Sequence, residues 1–219
     1  MIKNILWDFD GVILDSMPIR DYGFRKIFEN YSEELVEEFI KYHRINGGLS
    51  RFHKIKYFYN TFLTKEISEE QIQEYANKFT LIMKEQLANK KYLIQDSVEF
   101  IKSNHKNYNF HIVSGSEHHE LNYLCEKLDL SEYFLSINGS PTPKNDLVKN
   151  ILKTYAYDPE TCILIGDSIN DYDAAKKNNL FFAGFNNIEL EQISDLYLNS
   201  ISKFVLEEQM DILTNNHNM

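Results

Sequence analysis

Two carboxylates, Asp8 and Asp10, stand two residues apart and run directly into Gly11. They follow an apolar run, Ile5-Leu6-Trp7, that reads as a short buried strand. In a parallel α/β sheet the C-terminal ends of the strands face the ligand. A carboxylate pair placed there can hold a hard cation through oxygen, or divide the roles of nucleophile and proton donor. Asp is also common in solvated turns, so the pair alone is not decisive.

Further along, each apolar run ends in residues that suit phosphate chemistry. The run at 110–113 leads into Ser114-Gly115-Ser116, a hydroxyl with free N–H groups at an expected helix N-terminus, which is an anion site. Lys144 follows Pro141-Thr142-Pro143, where two fixed φ angles stiffen the approach of a single ammonium. The run at 162–165 ends in Gly166-Asp167-Ser168-Ile169-Asn170-Asp171, again with two carboxylates where a sheet meets its ligand. One pocket would then hold Asp8, Asp10, Ser114, Lys144, Asp167 and Asp171. Four acids with one Lys repel one another unless a divalent cation sits among them.

The elements that must position these residues fall into two rhythms. From Ser16 to about residue 90 the pattern is helical. Pro18 suits a first helical turn, and Ser32, Ser50 and Ser68 can each cap a further helix, the last with a Ser68–Gln71 capping box. Four amphipathic helices in succession predict a small bundle inserted after the first strand. From about residue 93, strands alternate with helices, which implies βαβ units and a parallel sheet covered on both faces. An edge strand at 196–198, a last helix at 204–213 and a disordered tail at 215–219 complete the expectation. The fold class is therefore α/β, a Rossmann-like core of residues 1–15 and 93–219 with a helical cap of residues 16–92.

Composition narrows the partners. The 219 residues are 43% hydrophobic and 14% aromatic, enough for a sizeable core. A net charge of −10 without a long basic run argues against nucleic acid or an anionic membrane. No signal peptide or membrane-length apolar run is visible, so a cytoplasmic protein, monomer or homodimer, is expected. Cys125 and Cys162 have neither zinc nor redox spacing and read as buried free thiols. Glu117-His118-His119-Glu120 reads as a solvated helix face, because adjacent His residues point to different sides. Trp7 and the Phe/Tyr-rich insert read as packing.

With these residues in place, the chain resembles the haloacid dehalogenase superfamily of phosphohydrolases, in the branch with a helical cap after the first strand. Asp8-Phe9-Asp10-Gly11-Val12 is similar to its first motif, Ser114 to its second, Lys144 to its third, and Gly166 to Asp171 to its fourth. The resemblance implies Mg²⁺-dependent phosphoryl transfer to a small phosphorylated substrate. Asp8 would be the nucleophile, Asp10 the acid and base, and Asp8, the Asp10 carbonyl and Asp167 the metal ligands. Ser114, Gly115 and Lys144 would bind phosphate, with Asp171 behind them orienting metal waters or Lys144. An Asp at position 10 argues for phosphate esters over the dehalogenases and phosphonoacetaldehyde hydrolases of the same superfamily, which lack it. Asn145 departs from the Pro that many relatives carry after the motif-three Lys. Gly48-Leu49-Ser50-Arg51 resembles the cap loop that faces the site, so Arg51 is the expected clamp on an anionic or hydroxylated substrate end, with Arg20, Arg44, His53 and Lys54 as neighbours. Two alternatives remain: a phosphosugar mutase of the β-phosphoglucomutase type, whose relatives carry His where this chain has Arg20, and a non-catalytic binding module on the same fold.

Overall fold

The computed structural model describes residues 1–202. The last helix expected at 204–213 and the tail at 215–219 lie outside the described residues. Strands β1 (Asn4–Trp7), β2 (Asn109–Glu117), β3 (Ser136–Ser140), β4 (Cys162–Gly166), β5 (Phe181–Phe185) and β6 (Leu196–Leu198) form one sheet in the order β3-β2-β1-β4-β5-β6. Every neighbouring pair is parallel. The chain runs from β1 outward to β3, then crosses back to place β4 on the other side of β1. That reversal opens a crevice at the C-terminal ends of β1 and β4.

Four helices stand between β1 and the rest of the sheet: α1 (Met17–Ile27), α2 (Glu33–Ile45), α3 (Arg51–Tyr57) and α4 (Glu69–Leu87). Their starts follow the expected capping. Ser32 accepts from the Leu35 N–H, Ser50 from the His53 N–H, and Ser68 and Gln71 form a reciprocal box. A π-helical turn over Phe58–Phe62 extends α3. Helices α5 (Gln95–Asn104), α6 (His118–Lys127), α7 (Lys144–Tyr155) and α8 (Ile169–Lys177) alternate with the later strands. No helix among the described residues is long and apolar enough to cross a membrane.

Strand β1 is buried throughout, and its alternation feeds two cores. Leu6 joins Val113, Leu164, Phe182 and the inner faces of α7 and α8. Ile5 and Trp7 join a second cluster that continues without a break into the inserted helices. There Phe28 stacks on Phe58 at 3.9 Å between ring centroids, and Phe24 lies 4.5 Å from Phe79. Helix α1 crosses α4 so closely at Gly23 that a Cβ there would lie 2.5 Å from Met83 Cε and 2.8 Å from Phe79 Cε2. The two chain crossings into and out of the insert run side by side. The Asp15 N–H donates to the Tyr92 carbonyl at 2.8 Å and the Ile94 N–H to the Ile13 carbonyl at 2.9 Å.

One local expectation changes. Residues 114–117 continue β2 instead of opening a helix, and α6 begins only at His118. The reason is pairing: β3 follows the extension to Glu117, with a register shift after Val113. Ser114–Ser116 therefore presents extended backbone, and the helix N-terminus sits at Glu117, whose side chain accepts from the His119 and Glu120 N–H groups. Cys125 and Cys162 are free and buried, as expected.

The shared aromatic cluster predicts that Phe28→Ala destabilises the protein by about 3–5 kcal/mol in urea unfolding, because few neighbours can collapse into the space of a stacked ring.

Candidate active site

Asp8 follows β1 directly, its N–H donating to the Ile165 carbonyl of β4 at 2.9 Å. This bond anchors the residue at the reversal between the two strands. Its side chain is buried, and one oxygen accepts from Lys144 Nζ at 2.7 Å. Lys144, the first residue of α7, also contacts the Asp171 carboxylate, so one ammonium bridges two acids. Asp171 is held in turn by the Ser168 N–H at 3.0 Å and the Ser168 hydroxyl at 2.6 Å. Asp167 follows β4, its carbonyl accepting from Asn187 at 2.9 Å. Gly11 adopts φ +79°, and a Cβ there would overlap the Asp167 carboxylate. Both the backbone conformation and the close approach require glycine at this position.

Oxygens of Asp8, Asp167 and Asp171 all lie within 4.8 Å of one another. Burial, and then the Asp171 charge, push the Asp8 carboxyl up to about 7 despite Lys144. Burial, followed by the charges of Asp8 and Asp171, also raises Asp167 well above the usual carboxylate range. Asp8 and Asp167, oxygen donors with Asp171 behind them and only one ammonium in the cluster, fit a divalent cation of the Mg²⁺ type.

Asp10 is held differently. It accepts from Arg20 Nε at 2.6 Å, from the Ser116 hydroxyl at 2.6 Å and from the Ser16 hydroxyl. Burial pushes its carboxyl up, but the Arg20 charge and these hydrogen bonds outweigh it and hold Asp10 below its ordinary value. Arg20 Nη2 donates to the same Ser116 hydroxyl at 2.8 Å, and Arg20 Nη1 reaches Glu120 at 3.4 Å. Glu120, fully buried on α6, accepts from Arg51 Nη1 at 2.5 Å through its other oxygen. Arg51 Nη1 also donates to Thr80 of α4 at 2.7 Å, and its guanidinium lies 4.6 Å from the Phe79 ring centre. Arg51 is thus buried among Glu120, Thr80 and Phe79, with its charge already balanced. Next to it Lys54 is buried, its Nζ 2.9 Å from His43 Nδ1 and 3.1 Å from the Gly47 carbonyl. Burial, reinforced by the Arg20 and Arg51 charges, lowers the Lys54 ammonium to about 7.

The structure brings Asp8, Lys144, Asp167 and Asp171 together on one side and Asp10, Arg20, Arg51 and Lys54 on the other. Ser114 and Gly115 of β2 lie between the two groups, with Ser114 buried and Gly115 packed under the Gly48 carbonyl. Arg44, by contrast, turns outward to Asp21 at 2.6 Å. Glu120 does not stand out in the sequence, yet it joins both arginines. His118 and His119 are solvated as expected, but Glu120 lies on the buried face of α6 with Leu121 and Leu124. Its four-residue spacing to Leu124 was the available signal. The position of its two arginine partners, 69 and 100 residues away, was not in the local pattern.

A family model described as haloacid dehalogenase-like hydrolase matches residues 5–185. A phosphorylated carbohydrates phosphatase of Thermotoga maritima is 23% identical over 186 residues, 80% of this chain and 81% of its own length. Pyrophosphatase PpaX of Oceanobacillus iheyensis is also 23% identical, over 97% of this chain and 96% of its own length. Among solved structures, a β-phosphoglucomutase from Clostridium difficile superposes with a TM-score of 0.80 at 20% identity, over 100% of both chains.

Two outcomes are expected from these electrostatics. Glu120→Gln leaves two buried guanidiniums without their shared carboxylate and costs about 3–5 kcal/mol in denaturant unfolding. Without divalent cations, stability should fall as pH rises from about 4 to about 7, because the unfolded Asp8 is already ionised while the folded one still holds its proton. Thermal melts across that range, with and without Mg²⁺, check the sign: the fall should be smaller when Mg²⁺ is present.

Proposed function

The chain belongs to the haloacid dehalogenase-like hydrolases, and on that basis we propose that it is a Mg²⁺-dependent phosphatase of a small phosphorylated metabolite, a sugar phosphate or a phospho-acid. The observation that carries this reading is the placement of Asp8: a buried carboxylate at the β1 end, bonded to Lys144 and within reach of Asp167 and Asp171. Residues 16–92 act as a cap over a catalytic core of residues 1–15 and 93–219.

In this reading an Asp8 oxygen attacks phosphorus, the bond from phosphorus to the ester oxygen breaks, and an aspartyl phosphate forms. Lys144, Ser114 and the Gly115 N–H bind the remaining phosphate oxygens and steady the charge that shifts onto them. Asp10 gives the departing oxygen its proton, then takes one from the water that releases phosphate from Asp8. Arg20 and the serine hydroxyls hold Asp10 as a carboxylate, the form the second step requires. To serve the first step, Asp10 must leave Arg20 and turn to the ester oxygen with its proton. Mg²⁺, held by Asp8, the Asp10 carbonyl and Asp167, would supply charge neutralisation at the phosphate. Asp171 keeps Lys144 in place from behind. The Gly48 carbonyl of the insert rests on Gly115 of β2, a direct contact between cap and core beside this cleft.

Hydrolysis of p-nitrophenyl phosphate tests the reading. Release should depend on Mg²⁺, stop with EDTA and vanish in Asp8→Asn; activity surviving in that variant rules out the aspartyl-phosphate route. Gly115→Val, which drives a side chain into the Gly48 carbonyl, should lower kcat by at least about tenfold by holding the cap off the core.

A further inference from the structure

Two clefts flank Gly115. One is lined by Lys144, Ser140, Asn170, His53 and Lys177. The other is lined by Asp10, Arg20, Arg51, Lys54, Leu49 and Ser116. Asp10 borders only the second. That makes this cavity the candidate site for the substituent of a leaving oxygen that exchanges a proton with Asp10. Its empty space, mouth included, is about 260 Å³. Even this upper bound falls below the roughly 300 Å³ at which pockets for drug-sized ligands begin, so the leaving group is small.

The charges around this cavity do not cancel. Arg20 is paired with Asp10 and Arg51 with Glu120. Lys54 is buried too, yet it forms no ion pair among the described residues; its amine meets only an imidazole nitrogen and a carbonyl. An ammonium with three donors therefore has one left over. Beside it Arg51 Nη2 is buried with no hydrogen-bond partner. Buried donors and an unpaired buried cation are costly unless a ligand satisfies them. A single surplus cation with unused donors on two side chains matches a monoanion with two oxygens.

We propose that Lys54, with Arg51 Nη2, forms a subsite for a carboxylate on the leaving group, so that the substrate is the phosphate ester of a small hydroxy acid. This rests on the phosphatase reading and narrows its substrate class. It also shifts the specificity role from Arg51, neutralised by Glu120, to Lys54, one helical turn further along α3.

The test compares phosphoglycolate with ethyl phosphate, which has the same two-carbon length but no carboxylate, in wild type, Lys54→Met and Lys54→Arg. Wild type should favour phosphoglycolate in kcat/KM, and Lys54→Met should shrink that preference about 10- to 100-fold, chiefly through KM. Lys54→Arg should restore part of it. Lys177→Met, altering the other cleft, should leave the preference intact. Calorimetric binding of phosphoglycolate to Asp8→Asn reads the subsite without turnover, and adding Lys54→Met to that variant should weaken binding by the same factor. No preference in wild type, an equal fall for both esters, or a collapse in Lys177→Met instead overturns the subsite while leaving the phosphatase reading in place. Unchanged phosphoglycolate affinity on loss of Lys54 overturns it independently. Absence of Mg²⁺-dependent hydrolysis of every ester, p-nitrophenyl phosphate included, overturns the phosphatase reading.

Discussion

Lys144 holds the site together. Its ammonium bridges the carboxylates of Asp8 and Asp171, and Asp167 stands within the same few ångströms. Acids packed this closely in a buried crevice resist ionisation, which is why Asp8 and Asp167 are both pushed upward while Lys144 is held firmly charged. Bonds from the surrounding chain keep them in place. The Asp8 N–H is tied to β4, Asn187 holds the Asp167 carbonyl, and Ser168 fixes Asp171. Such a cluster of carboxylate oxygens fits a cation, and an oxygen-only donor set suits a hard one.

A second network ties the inserted helices to the sheet. Glu120 on α6 accepts from Arg20 at the start of the insert and from Arg51 in the middle of it. Arg20 continues to Asp10 and Ser116, so one chain of hydrogen bonds runs from the inserted helices to a strand-end carboxylate. Buried ion pairs of this kind contribute little net stability, because desolvation offsets the attraction, but they penalise any arrangement that leaves one member alone. The network therefore specifies the position of the insert more than it strengthens the fold. The strength comes from the aromatic cluster, which is continuous from Trp7 to Phe79 and makes insert and sheet pack as one body.

Much of this was legible in order along the chain. Serine caps at 32, 50 and 68 started the helices where expected, because an N-cap is a local interaction completed within three residues. Asp8, Asp10, Lys144, Asp167 and Asp171 were legible because each lies just beyond an apolar strand or in the turn that follows one, and strand ends are where a parallel sheet meets its ligand. The extension of β2 through Ser114–Glu117 was not, since the pairing that sustains it comes from β3, a separate stretch of chain. Glu120 looked like surface for the same reason: its partners are remote in sequence.

Residue order was thus enough for the helical insert, the alternating strands and the acid set, all carried by periodicities and residue types that act over a few positions. Which charges meet was settled by packing alone. Packing set Arg51 against Glu120 and Arg20 against Asp10, and it left Lys54 without a carboxylate. These pairings depend on how α1, α3 and α6 come together in space, and no spacing along the chain encodes that.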